Sequence, residues 1–528
     1  MARRSRQIIA LLIVVLGICL AAGASVAFLT INAPMSGGTA AEPSKGGRQT
    51  RENSESAAEP SLGPSATAPL NFVETAKLVS ADPAAAVQMG FSVAVSGDTA
   101  IVGAPGEANN RGSAFIFVRN GDSWQLQQQI IGQESTTDDN FGWSVAISGE
   151  TAVIGAYDLN EIDRGAAYVF VRDGLAWTQQ QKLMASDGTA VDQFGSSVSI
   201  SGDSVVVGAS GNNNSRGAAY IFVRSGSIWS QQQELTAADG TAGDEFGMAV
   251  GISGETVVIG GPGDEALRGG AYVFDRNGTL WSQTAKLTAS DGSAFDRFGS
   301  SVGIDGKRIV IGAPSDEVGG MLTGSAYVFS ENGGTWQQQK LTAGDGAAND
   351  KFGESISISG SSVAIGANGD DIGAKPDQGS VYIFTLSGND WTLAQKLISS
   401  DGLAGDNFGG SVAFRAGAVI VGSYLDDGES LLDPGSTSTF SAPIPMVSIS
   451  GRVLTAHGIG LKSAVVTIRD AEIGTAQSVN SSTLGYFEFV VESGKDYAIT
   501  VNSRRYRFSP VPISVNGDIS DLQLMGLE

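Results

Sequence analysis

Asp139-Asn140-Phe141-Gly142 is followed along the chain by Asp192-Gln193-Phe194-Gly195, Asp244-Glu245-Phe246-Gly247, Asp296-Arg297-Phe298-Gly299, Asp350-Lys351-Phe352-Gly353 and Asp406-Asn407-Phe408-Gly409. A worn copy, Met89-Gly90, precedes them, and the seven glycines lie 52, 53, 52, 52, 54 and 56 residues apart. A period of about 50 residues carrying four short strand-like segments is that of a β-propeller blade. The second copy shows the segments. Trp143 to Ser148 alternates, Thr151 to Ala156 is almost wholly apolar, Ala167 to Arg172 follows a loop, and Trp177 to Leu183 is rich in glutamine. Glycine in the connecting turns supplies φ > 0 without steric cost. The apolar second strand fits a sheet covered on both faces by neighbouring blades. The glutamine-rich fourth strand fits an outer edge, where polar side chains discourage pairing with other chains.

The fourth-strand tryptophan recurs at Trp124, Trp177, Trp229, Trp281, Trp336 and Trp391, one fewer than the number of starts. The seventh lies upstream. Phe72-Val73-Glu74-Thr75-Ala76-Lys77-Leu78 matches Trp177 to Leu183 in length and ending, with Phe72 in the tryptophan's place. The expected fold is all-β: a seven-bladed β-propeller over 71–441, closed by this N-terminal strand, and then a small β-sandwich over 446–528. Short alternating segments at 447–449, 464–468, 486–491 and 497–501, separated by turn residues, carry the second assignment.

The ends of the chain read differently. Arg3, Arg4 and Arg6 precede an apolar run from Ile8 to Ile31, and Ala22-Gly23-Ala24 offers a cleavage site. Residues 1–32 are therefore expected to be a signal peptide, or an uncleaved membrane anchor. Residues 33–70, with few apolar side chains, read as a disordered linker. Cleavage after Ala24 removes three arginines and no acid, so the net charge of −23 becomes −26. It also removes Cys19, the one cysteine, leaving no thiol chemistry. The acidic balance excludes a nucleic-acid ligand. Membrane contact is expected only through the N-terminal segment, and localisation is extracellular or on the outer side of a membrane.

The repeats resemble the FG-GAP family of β-propellers, best known from integrin α chains. The Phe-Gly starts carry the resemblance, with Gly103-Ala104-Pro105, Gly155-Ala156, Gly208-Ala209, Gly261-Pro262, Gly312-Ala313-Pro314 and Gly366-Ala367. It implies a binding or adhesion platform. One departure matters. The family often carries a calcium loop between strands one and two, and here that hairpin is cut to Ser96-Gly97-Asp98, Ser148-Gly149-Glu150, Ser201-Gly202-Asp203, Ser253-Gly254-Glu255 and Asp305-Gly306-Lys307. So few residues cannot supply the six or more oxygens calcium takes. The C-terminal segments resemble the carboxypeptidase regulatory-like (transthyretin-like) sandwich through Ile449 to Val453, Ala464 to Ile468 and Gly485 to Phe489. That resemblance implies an accessory module.

Because strands alternate in direction, the 4→1 and 2→3 loops share one face. Five 4→1 loops repeat Asp-Gly-x-x-x-Asp: Asp187 with Asp192, Asp239 with Asp244, Asp291 with Asp296, Asp345 with Asp350, and Asp401 with Asp406. The 2→3 loops add Asp158, Asp163, Asp264, Asp316, Asp370, Asp426 and Asp427 among others. These oxygens make calcium a possible cofactor, with the ten loop aspartates as candidate ligands. The favoured reading is structural: the first aspartate forms an Asx turn with its glycine and the second caps backbone N–H groups before Phe-Gly. No enzymatic motif accompanies the one histidine, His457, and carboxylates repeated in five blades do not make a unique active site. The expected function is a monomeric, non-enzymatic binding or adhesion protein presenting an acidic loop face to an extracellular protein or glycan. The alternative is a carbohydrate-active hydrolase or lyase with its site at the propeller centre.

Overall fold

The computed structural model describes residues 71–80, 87–121, 123–157, 164–415, 417–426, 434–442, 446–471, 476–492, 495–515 and 518–527. The expectations for 1–32 and 33–70 lie outside these residues, as do Asp158, Asp163 and Asp427. Among the described residues no helix is long and apolar enough to cross a membrane.

Seven four-stranded antiparallel sheets follow one another along the chain. Blades one to six each pair their strands in chain order, from the Phe-Gly strand to the tryptophan strand. In blade two these are Phe141–Ser148, Thr151–Ala156, Ala166–Asp173 and Ala176–Leu183. Strand two is buried along its whole length in blades one, two, three, six and seven. Packing on both faces leaves that strand no solvent side, which is why its sequence does not alternate. An axial cavity of about 240 Å³ is lined by strand one of all seven blades. Strand one is therefore innermost and strand four outermost.

Two glycines per repeat join the blades. The strand-two glycine approaches the Phe-Gly glycine of the next blade so closely that a Cβ on it would lie 1.9–2.1 Å from that carbonyl oxygen: Gly103 on Gly142, Gly155 on Gly195, Gly208 on Gly247, Gly260 on Gly299, Gly312 on Gly353, Gly366 on Gly409 and Gly422 on Gly90. Strand-one serines donate to the same carbonyls, as Ser92 does to Gly142 (2.8 Å) and Ser197 to Gly247 (2.8 Å). Outside this contact, a glutamine of one fourth strand clasps the backbone of the next tryptophan. Gln128 donates to the Trp177 carbonyl (2.9 Å) and accepts from its N–H (2.8 Å), and Gln181 does the same for Trp229.

Closure uses the same parts. Blade seven has Ser411–Arg415, Ala418–Ser423 and Ser436–Ser441 in order, and its fourth strand is Val73–Leu78. Glu74 pairs with Phe440 and Leu78 with Thr437. Gln395 clasps Phe72 as Gln181 clasps Trp229, accepting from its N–H at 2.7 Å and donating to its carbonyl at 2.8 Å. Phe72 is buried with Phe414 and Phe440. Ser411 donates to Gly90 (2.7 Å), so blade one receives blade seven as every blade receives its predecessor.

The C-terminal unit has two sheets around one apolar cluster. Tyr486–Glu492, Met446–Leu454 and Ile519–Met525 form one sheet, the last pair parallel. Ala476–Asn480, Val465–Asp470, Lys495–Asn502 and Val511–Val515 form the other. Phe487, Phe489 and Val491 point inward while Tyr486, Glu488 and Val490 face solvent, the period-two pattern read in the sequence. Ala476–Asn480, Val511–Val515 and Ile519–Met525 were not legible as strands. They carry Gln477, Pro512 and Asp521, and pairing with a neighbour overrides their weak local preference.

Candidate functional site

The ten loop aspartates divide into two sets with different partners. The second of each pair turns back on its own loop: Asp192 accepts the N–H of Thr189 (2.6 Å), Asp244 that of Thr241, Asp296 that of Ser293, Asp350 that of Ala347 and Asp406 that of Leu403. The partner lies three residues before the aspartate, inside the loop, rather than at the start of the strand. Burial pushes the carboxyls of Asp296 and Asp350 upward against these bonds.

Four of the five first aspartates reach a lysine. The turn that was expected to be an Asx turn is closed by backbone alone, as Gly240 N–H on Ala237 O and Gly292 N–H on Ala289 O show. The freed carboxylate meets the fourth-strand ammonium of the following blade. Lys286 lies 2.7 Å from Asp239 and 2.5 Å from Asp264, and Lys340 lies 2.6 Å from Asp291 and 2.7 Å from Asp316. Lys396 joins Asp345 and Asp370 at 2.7 Å each, and Lys77 joins Asp401 at 2.7 Å and Asp426 at 2.6 Å. The 4→1 loop, the 2→3 loop and strand four of four blades are thus tied by one cation between two carboxylates. Tyr327 and Tyr382 donate their hydroxyls into these clusters. Burial works against the Lys286 ammonium, yet its hydrogen bonds to Asp239 and Asp264 outweigh it and raise its pKa. Hydrogen bonding to Lys286 holds Asp239 below the usual carboxylate range.

Blade three departs from this. Glu234 stands where blades four to seven have lysine and Asn212 where they have the buried aspartate, so Asp187 gains no ammonium there. Burial, then Asp187, pushes the Glu234 carboxyl upward, with Arg216 opposing. Among the described residues no group of three or more His, Cys, Asp or Glu side chains is arranged to hold a metal ion. An ammonium already bridging two carboxylates competes with a divalent cation for the same oxygens. Calcium added to the metal-free protein is accordingly expected to leave its melting temperature unchanged, and a rise of several degrees would restore the aspartates as ligands.

The mouth of the axial cavity on this face is built differently. The residue before each Phe-Gly is left-handed in all seven repeats: Gln88, Asn140, Gln193, Glu245, Arg297, Lys351 and Asn407 have φ between +54° and +62°. Backbone bonds to the preceding blade hold this costly conformation, as from Asn140 N–H to Asn110 O and from Arg297 N–H to Leu267 O. The residue after Phe-Gly then opens strand one beside the axis. Its seven copies are Phe91, Trp143, Ser196, Met248, Ser300, Glu354 and Gly410, with no common chemistry. Phe91 lies 4.5 Å from Trp143 and 5.5 Å from Tyr424 between ring centroids, and Trp143 lies 4.8 Å from Tyr157. All four rings are partly exposed, so an aromatic arc spans blades seven, one and two. Gly410 makes room for it: a Cβ there would sit 2.8 Å from the Tyr424 ring. Across the mouth, Glu354 is exposed to solvent, and Arg297 and Lys351 occupy the positions before Phe-Gly in blades five and six. Arg297 also pairs with Glu245 at 3.1 Å. Two acids and two bases therefore balance at the mouth.

The FG-GAP repeat family profile matches residues 72–117, 124–170, 177–222, 229–274, 281–329, 336–384 and 391–440. The chain belongs to the FG-GAP repeat family. No curated protein matches it. Each FG-GAP unit begins at the strand-four aromatic and ends in strand three of the next blade, so sequence repeat and sheet are offset by one strand. That offset is what leaves Val73–Leu78 to complete blade seven. The two glycines that give the FG-GAP unit its signature are the pair that meet between blades. The axial position was missed in the sequence because it does not repeat. Its signal was the opposite one: a position directly after Phe-Gly, or Met89-Gly90 in blade one, whose seven copies share no common class.

Proposed function

We propose that this FG-GAP propeller is an exported, monomeric, non-enzymatic binding or adhesion protein that engages an extracellular protein or glycan through its 4→1 and 2→3 loop face. The reading is carried by the axial mouth, where one register position takes six residue types in seven blades while the residues around it repeat. Repetition maintains a scaffold, and departure from it marks a surface specialised for contact. The basic N-terminus and the apolar run after it support export. The acidic composition contributes less to this face than its aspartate count suggests, because four lysines are bound within it.

The glycosidase alternative asks for two free carboxylates facing one bond. The mouth supplies Glu354, while Glu245 is held by Arg297. That arrangement favours binding. The test is capture of the full chain on immobilised extracellular-matrix proteins and glycans, comparing Trp143→Arg on the loop face with Leu175→Glu on the opposite face. Leu175 is 79% exposed in a 3→4 turn. Loss of capture by Trp143→Arg alone is expected. Loss by Leu175→Glu alone would move the contact to the other face and end the proposal.

A further inference from the structure

We infer that the axial mouth takes the neutral terminal ring of a glycan, stacked on the aromatic arc. The inference rests on the loop-face reading and gives its ligand a chemistry. Three observations carry it. Phe91, Trp143 and Tyr424 present partly exposed rings from three consecutive blades, close enough to form one apolar wall. A pyranose has an apolar C–H face of matching character, and its hydroxyls need donors and acceptors beyond the edge of the wall. The opposite sector supplies them in Glu354 and in Ser300, whose hydroxyl donates to the Arg297 carbonyl (2.8 Å) and keeps its lone pairs as acceptors, with the Gln193 amide at the near end, donating to the Tyr157 hydroxyl at 3.0 Å and accepting from Ser210 at 2.9 Å. Finally, the mouth is balanced in charge. Lys351 and Arg297 stand beside Glu354 and Glu245 at its register positions, and Arg297 is already paired with Glu245 at 3.1 Å, so a cationic side chain gains little there, and an anionic sugar would meet Glu354 and Glu245. A neutral ring with a stacking face and several hydroxyls satisfies both sectors.

Gly410 makes the wall testable without removing it. Its φ lies outside the left-handed region, so alanine there is unstrained in backbone, but its Cβ would fall 2.8 Å from the Tyr424 ring and push it aside. The experiment prints neutral hexose- and N-acetylhexosamine-terminated oligosaccharides, sialylated and sulfated ones, and lysine- and arginine-rich peptides on one array, probed with the full chain. Free methyl glycosides are titrated in parallel against tryptophan fluorescence. Expected are binding confined to neutral termini, competition by the matching glycoside, and losses of about tenfold or more in Trp143→Ala and Gly410→Ala. Leu175→Ala, on the far face, binds as the parent does. Gly410→Ala keeps the test decisive if Trp143→Ala fails to fold. Binding of the cationic peptides alone, of acidic sugars alone, or of no sugar overturns the inference, as does binding that survives both mouth substitutions. Capture of a deglycosylated protein that Trp143→Arg abolishes and glycosides do not compete would overturn the sugar while leaving the loop-face reading standing.

Discussion

Deleting residues 71–78 is expected to open the ring and remove most of the propeller's resistance to protease. The deletion takes Phe72 and Leu78, both buried, out of the seam between blades. Each such side chain contributes about 1.5–3 kcal/mol. It also leaves Asp426, 5% exposed, without the Lys77 ammonium at 2.6 Å. Removing one partner of this half-buried pair costs about 1–3 kcal/mol. The Gln395 amide and the strand Ser436–Ser441 lose their backbone partners as well. The total is comparable to the about 5–15 kcal/mol that stabilises a typical domain. Limited proteolysis and thermal melting of the full chain against the deletion measure it. Parent-like melting would show that the ring holds without its clasp.

Substituting Gly208 by alanine is the second large effect expected, and Gly202→Ala is its control. Both glycines lie in blade three. Gly202 turns the 1→2 hairpin at φ +56° with nothing within 4 Å of a Cβ. Alanine there meets only the left-handed penalty, about 1–2 kcal/mol. At Gly208 the Cβ would lie 2.0 Å from the Gly247 carbonyl oxygen and 2.2 Å from Ser197 Oγ. Backbone, not a flexible side-chain tip, stands in the way. Two blades must separate, and the Ser197 to Gly247 hydrogen bond is strained with them. Overpacking against so rigid a wall costs about 3 kcal/mol or more. Chemical denaturation of the two variants separates the terms. Equal losses would mean that dihedral freedom, and not close approach, explains the repeated glycine.

Much of this was legible beforehand. Six Phe-Gly starts and the worn Met89-Gly90, at near-constant spacing, set the blade count, and the missing seventh tryptophan located the closing strand at Phe72. A repeat shorter than a stable unit must pack on its copies, so periodicity alone implies a solenoid or a ring. The loop aspartates were legible as a pattern but not as partners. Asp239 is followed by glycine, which suggests an Asx turn, yet its carboxylate is taken by Lys286, 47 residues away. No local rule connects them, because the ring brings strand four of one blade over the loop that enters it.

By itself, the sequence determined the architecture, since hydrophobic period, turn glycines and repeat spacing are local quantities that each copy restates. The tertiary structure decided where the chemistry stands. Phe91, Trp143 and Tyr424 are scattered over 334 residues of chain and meet because the closed ring makes blades seven and one neighbours. The loop face kept fewer free charges than its composition offered, because each lysine that could reach two carboxylates was drawn between them. Contact between segments far apart in sequence follows from how the blades close on one another, and that geometry exists only in the folded ring.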